Sequence, residues 1–167
     1  MTDPAPADLG AVPTAVSTEV TVAIPIERAF RAFTVGFGAW WPPDHHIGDA
    51  EMVDGVIEPH VGGRWFERGA DGTECDWGRV LTWDPPHHVG LSWHLDGEFR
   101  YVPDPDRSSR VDVRFTTVED GTRVELTHSG LDRHGPGWEG LATGVASPNG
   151  WPGILGRYVE LLREVAS

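Results

Sequence analysis

Indole side chains dominate the chemically useful residues of this sequence, with eight tryptophans between Trp40 and Trp151. Flat aromatic faces can seal a core, or they can wall a concave site in which a few polar groups fix a ligand. Trp93, in the middle of an apolar alternation, and Trp151, on the apolar stripe of the last helix, fit both readings. Trp40, Trp41, Trp65 and Trp77, with Phe115, Leu155 and Tyr158, complete a candidate ligand-binding wall. Two polar candidates go with it. His128 ends an apolar strand face, where an imidazole is either a satisfied core residue or a pocket anchor. Arg79 shares its alternation with Trp77, Leu81 and Trp83, so it either points inward as a cation that orients a ligand or marks a twisted or bulged strand. The direction of Trp65 is open as well, because Arg64 and Phe66 compete with Trp65 and Glu67 for the inner face.

Eight histidines raise the question of a metal. The pairs His45-His46, near Asp44 and Asp49, and His87-His88 are adjacent residues that diverge in extended chain, without the i, i+4 spacing that focuses two ligands on one ion. They read as solvated loop histidines. No metal and no cofactor is expected, and Asp44, His45, His46 and His60 are the ligands to suspect if one is found. Residues 135–140 spell Gly-x-Gly-x-x-Gly, but Pro136 and the short remainder leave no room for a dinucleotide-binding βαβ unit. Cys75 lies between Glu74 and Asp76, whose charges weaken a thiolate nucleophile. There is no Gly-x-Ser-x-Gly elbow, so serine hydrolysis has no support. All 13 basic residues are arginine, which removes Schiff-base chemistry and the lysine of a phosphate-binding loop.

Charge narrows the partners. The chain has 26 acidic residues and a net charge of −13, with the excess spread along its length, so nucleic acid and anionic membrane surfaces are poor partners. A single cysteine excludes an internal disulfide and suits a reducing cytoplasm. Residues 1–15 do not read as a secretion signal, and no apolar run approaches the ~20 residues of a membrane span. The expectation is a cytoplasmic monomer or weak homodimer whose partner is a small apolar or aromatic molecule.

These side chains need elements to position them, and 167 residues suit one domain. Residues 1–14 are proline-rich and read as a flexible tail, leaving 15–167 as a single domain. Residues 17–24 alternate as a strand and meet Pro25, which opens a helix whose Ile26, Ala29, Phe30, Phe33 and Phe37 form one apolar face, with Gly36 and Gly38 as its stop. Strands are predicted near 51–58, 63–69, 73–83, 88–96, 109–118 and 122–128, separated by turn signals such as Asp71-Gly72 and Asp120-Gly121. Val111, Val113 and Phe115 share one face, as do Val124, Leu126 and His128. The intervening charged residues face water. A glycine-rich linker over 130–150 precedes a long amphipathic helix with Asn149 as N-cap, and Gly153 and Gly156 leave room beside its apolar face. The fold class is α+β: a curved antiparallel sheet gripping the C-terminal helix.

That order, with Trp40-Trp41-Pro42, Gly62-Gly63-Arg64-Trp65 and Glu67, Gly78 ahead of Pro85, Trp93, Thr122-Arg123-Val124 with His128, and Gly150-Trp151-Pro152, resembles the START-like (SRPBCC) superfamily. It resembles in particular the branch similar to the activator of heat-shock-protein-90 ATPase. Pro103-Asp104-Pro105-Asp106 and Leu131-Asp132-Arg133 are also similar to enediyne self-sacrifice resistance proteins of that branch. The resemblance covers about residues 17–165 and implies a helix-grip fold with a cavity between sheet and long helix, used to hold apolar ligands or to cyclise polyketides. The implied function is binding, without catalysis, of an apolar or polycyclic molecule, for sequestration or self-resistance. One alternative is a cyclase or aromatase in which His128 or Arg79 polarises a carbonyl. The other is a co-chaperone-type interaction module.

Overall fold

The computed structural model describes residues 12–166. The elements are β1 (Val16–Val22), α1 (Ile26–Thr34), a short α2 (Phe37–Trp40), β2 (Met52–Ile57), β3 (Arg64–Gly69), β4 (Glu74–Asp84), β5 (His88–Trp93), β6 (Ser109–Val118), β7 (Gly121–Ser129), α3 (Trp138–Ala146) and α4 (Trp151–Ala166). One antiparallel sheet runs β1-β7-β6-β5-β4-β3-β2. The first strand closes the edge beside the last, and α4 packs across β1 and α2. This is the expected helix-grip architecture. Of the predicted tail, residues 1–11 lie outside the described residues. Val12 packs on the core, and the Thr14 carbonyl accepts from the Leu131 N–H at 3.0 Å.

Alternation makes the inner sheet face. Val111, Val113 and Phe115 of β6, and Val124, Leu126 and His128 of β7, are all buried. They pair across the sheet, Val111 opposite His128 and Val113 opposite Leu126. Against this face α1 lays Phe30 and Phe33, both in ring contact with Phe115, and Tyr158 of α4 packs in turn on Phe33, with Leu155 of the same helix fully buried. The Tyr158 hydroxyl donates to the Ala29 carbonyl at 2.7 Å, locking the two helices together, and burial pushes that phenol above its usual range.

Two irregularities in β4 decide the Arg79 question. Trp65 pairs with Gly78 and Phe66 with Asp76, so Trp77 is an extra residue, and the β4–β5 pairing skips Leu81 in the same way. Each bulge inverts the alternation. Trp77 and Val80 are buried, whereas the Arg79 side chain is 41% exposed and donates to Asp76 at 3.1 Å. Gly78 is required here because a Cβ would collide with the Ser92 carbonyl of β5.

The predicted linker is instead partly helical. A 3-10 turn (Leu131–His134) leads to α3, whose Leu141, Ala142 and Val145 are buried. Asn149 is not the N-cap of α4. The helix starts at Trp151 and the Gly150 carbonyl accepts from the Ile154 N–H at 3.0 Å, which puts Gly150 in the cap position. Nor does Gly153 border the apolar face. It is exposed, and a Cβ there would meet the Pro148 carbonyl.

Candidate functional site: an indole-walled cavity

A cavity of about 400 Å³ opens between the sheet and the start of α4, within the roughly 300–1,000 Å³ of small-molecule sites. The sheet supplies Trp77 and Trp93, with Leu95 and Phe99 from the chain beyond β5. Val145 comes from α3, and Trp151 and Ile154 come from α4. The connection after α2 covers the remaining side with Trp41, Asp44, His45, His46 and Ile47. Phe99 sits at the edge, 52% exposed and with φ of 59°. Asp96 holds that left-handed turn by accepting from the Glu98 and Arg100 N–H groups at 2.9 and 3.0 Å.

The four wall indoles form a chain of ring contacts, Trp77–Trp41 at 5.1 Å, Trp41–Trp151 at 5.9 Å and Trp151–Trp93 at 5.8 Å. Every one of their N–H groups donates to the protein: Trp41 to the His45 carbonyl at 2.9 Å, Trp77 to Glu67 at 2.9 Å, Trp93 to the Leu95 carbonyl at 2.9 Å, and Trp151 to His128 Nδ1 at 3.1 Å. An indole has one donor and no acceptor. The wall therefore offers rings and no hydrogen bonds, and polar recognition is confined to Asp44, His45, His46, Ser147 and Asn149.

Of the predicted site residues, Trp41, Trp77, Trp93 and Trp151 line this cavity. Trp65 stands behind them against Trp77 and Trp93, at 5.5 and 5.7 Å, facing inward. Trp40, Phe115, Leu155 and Tyr158 lie in the closed core. Leu155 is fully buried, and its neighbour Ile154 takes the lining position. Arg79 is on the outer side of the sheet for the reason given above. His128 is fully buried behind Trp151 and Trp93 rather than in the cavity.

The His128 environment fixes its protons. Trp151 can only donate, so Nδ1 carries the lone pair and Nε2–H donates to the Ser109 hydroxyl at 2.7 Å. That hydroxyl is then free to donate to His134 Nε2 at 2.7 Å, which leaves the His134 proton on Nδ1, buried and without a partner among the described residues. Burial, with the charge of His134 adding to it, lowers the His128 pKa to about 3. Burial likewise brings His134 to about 4. Neither is poised to exchange protons at neutral pH.

The connection over the cavity is pinned by Glu67 of β3, which sequence alternation could not orient. Its buried carboxyl group accepts from the N–H of Ile47 at 2.6 Å and of Gly48 at 3.1 Å, besides the Trp77 indole. Gly48 suits this close approach, since a Cβ would lie 3.1 Å from Glu67 and 3.2 Å from Cys75 Sγ and would press on both side chains. Cys75 has its pKa raised by burial and then by the Glu67 charge, so it remains a thiol. His45 reaches from Asp44 at 3.0 Å to the Asn149 carbonyl at 2.9 Å, fastening the connection to the approach of α4. That hydrogen bond holds the Asp44 carboxyl below its usual range. No group of three or more metal-ligating side chains occurs among the described residues.

A sequence profile of the activator of Hsp90 ATPase homolog 1-like proteins matches residues 23–161. The chain belongs to that family. No curated protein matches it. Among solved structures, an anthrahydroquino-γ-pyrone synthase, Txn09, determined with a compound abbreviated SUM, is 41% identical over 89% of this chain and 96% of its own, with a TM-score of 0.63. The self-sacrificing resistance protein CalC from Micromonospora echinospora is 31% identical over 92% of this chain and 96% of its own, with a TM-score of 0.65. Protein NE0264 from Nitrosomonas europaea, at 17% identity over 92% and 96% and a TM-score of 0.65, shows the fold alone. No helix among the described residues of this family member is long and apolar enough to cross a membrane.

Proposed function

We propose that this family member is a cytoplasmic binding protein for a flat polycyclic aromatic molecule, held between the faces of Trp41, Trp77, Trp93 and Trp151. The observation that carries the reading is that all four indole N–H groups are spent on protein acceptors around a cavity of about 400 Å³. Such a wall gains most from a ligand with extended π-faces and little polarity at its inner end. The polar groups gathered on the connection and before α4 then select hydroxyl or carbonyl groups at the ligand's outer end. Sequestration for self-protection follows naturally from such a fit, and the likeness to CalC supports it.

A second reading has its own support. The 41% identity to an anthrahydroquino-γ-pyrone synthase favours catalysis of a ring closure. In the step proposed, the O–H of a polycyclic hydroquinone adds across the carbon–carbon multiple bond of an unsaturated ketone side chain, the new C–O bond replacing the π bond and the proton passing to the neighbouring carbon. On this reading the cavity aligns the two ends of one molecule. Arg79 and His128, outside the cavity, take no part.

The test is a titration of the protein with 2-hydroxyanthraquinone and with a saturated fatty acid of similar volume, followed by indole emission. Saturable quenching by the anthraquinone at equimolar stoichiometry, and little response to the fatty acid, is expected. Absence of saturable quenching by any polycyclic probe would discard the binding reading. Release of a ring-closed product from a hydroquinone bearing an unsaturated ketone side chain would move the assignment from sequestration to catalysis.

A further inference from the structure

We propose that His46 is the proton acceptor for a hydroxyl group of the bound ligand, with Glu67 as the positioning residue behind it. The inference rests on the binding reading above and names what its polar end does. His46 lines the cavity, and its Nδ1 lies 2.9 Å from the Gly48 carbonyl. A carbonyl oxygen can only accept, so in the neutral ring the proton sits on Nδ1 and the lone pair on Nε2. Nε2 has no hydrogen-bond partner among the described residues, and the side chain is 26% exposed. The Glu67 carboxyl stands 3.8 Å from Nδ1 and is itself held by the Ile47 and Gly48 N–H groups and by Trp77. A carboxyl group behind an imidazole fixed in one tautomer, with the far nitrogen unengaged in a side chain that lines a cavity, is the arrangement of a general base.

In the step proposed, the ligand's O–H bond breaks and its electron pair stays on oxygen. The proton forms an N–H bond at Nε2. The resulting imidazolium keeps its Nδ1–H on Gly48 and has the Glu67 charge at its back. No oxidant or reductant is consumed. In a binding protein this favours the ligand's phenolate, and in a ring-closing enzyme it makes the nucleophilic oxygen. The other titratable groups on this side are Asp44 and His45 of the same connection, which engage each other, Asp49 farther along it, and Cys75 and Asp71 beyond Glu67. Asp44 opposes an oxyanion at the cavity mouth. His128 is excluded from the role by its burial behind Trp151 and its two engaged nitrogens.

The test uses 2-hydroxyanthraquinone, whose visible absorption reports ionisation of its hydroxyl while indole quenching independently reports binding. In the parent protein the bound probe is expected to ionise at a pH about 1–3 units below that of the probe bound to His46→Gln, the shift typical of a nearby opposite charge. Glu67→Gln, which keeps an acceptor but removes the charge, should give an intermediate midpoint. Imidazole added to His46→Ala should restore part of the shift. Equal midpoints in parent and His46→Gln, with quenching intact in both, would overturn the role of His46 and leave the binding reading standing. Loss of binding in a folded His46→Gln would also overturn it, since His46 would then be holding the wall together. No quenching in the parent would remove the binding reading itself.

Discussion

Two aromatic clusters share this molecule and use the same residue types in opposite ways. In the closed core, Phe33 meets Trp40, Phe115 and Tyr158 at 4.7 to 5.8 Å, and Trp40 and Tyr158 donate to carbonyls of α1 and its end, tying helix to helix. Around the cavity, Trp41, Trp77, Trp93 and Trp151 also donate to protein acceptors, but one side of their ring assembly borders open volume. Close packing predicts that every side chain should be surrounded. The second cluster is held rigidly and left incomplete, and that difference, more than the number of tryptophans, points to a ligand.

The comparison can be broken most forcefully from the closed side. Phe33→Ala should lower unfolding free energy by about 3–5 kcal/mol, because no neighbour can fill the space. The affinity of the folded fraction for a polycyclic probe should be unchanged. Trp41→Ala should do the reverse, with a smaller stability loss and affinity reduced at least tenfold. Urea denaturation and quenching titrations on the two variants decide between them.

Acid tests the buried histidines behind the cavity. The unfolded chain takes up protons on His128 and His134 near pH 6.5, whereas the folded protein keeps them neutral down to about 3 and 4. Below pH 6.5 the unfolded state therefore binds more protons, and stability falls as pH falls toward those lower values. Above pH 6.5 the pair contributes nothing. Each histidine gives a slope of about 1.4 kcal/mol per pH unit. Denaturation midpoints at pH 6.5, 5.5 and 4.5 should decline in the parent and decline less steeply in His134→Leu. Parallel declines would contradict the burial of that proton chain.

Adjacent positions of α4 sharpen the contrast further. Leu155→Trp should overpack the closed core and destabilise it by about 1–3 kcal/mol. Ile154→Trp, at a position that borders the open volume, should fill the cavity, cost less stability than Leu155→Trp, and abolish probe binding. At the small end, Arg163→Ala removes an exposed ion pair, and Arg79→Ala a partly exposed one with Asp76 together with a hydrogen bond to the Gly78 carbonyl. Each should shift stability by under ~0.5 kcal/mol and leave binding unaltered.

Much of this fold is legible in the sequence because alternation and turn chemistry agree. Every predicted strand lies within about two residues of an observed one, with one exception: the strand expected over 88–96 ends at Trp93, where Leu95 makes only an isolated bridge to Tyr101. α3 is not legible because Gly140 and Gly144 depress its helix propensity and Gly137 gives its start no side-chain cap, so only the burial of Leu141, Ala142 and Val145 holds it. The four wall tryptophans were recognisable as types in plausible elements. Separating them from Trp40 and Trp65 required knowing where open volume falls, which depends on contacts distant in sequence. Arg79 was ambiguous because a bulge is invisible to alternation except as a conflict. His46 and Glu67 were hidden most fully. One reads as a loop histidine and the other as a charged strand residue, and their relation exists only because residues 47 and 48 fold back onto β3.

Isothermal titration of the parent protein and of Ile154→Trp with 2-hydroxyanthraquinone, at several temperatures, tests the central claim most directly. The account predicts one site per chain in the parent, a negative heat-capacity change from apolar surface leaving water, and no binding heat in Ile154→Trp despite an unchanged fold by circular dichroism. Equal binding by both proteins would contradict it, placing the ligand somewhere other than the space between these four indoles.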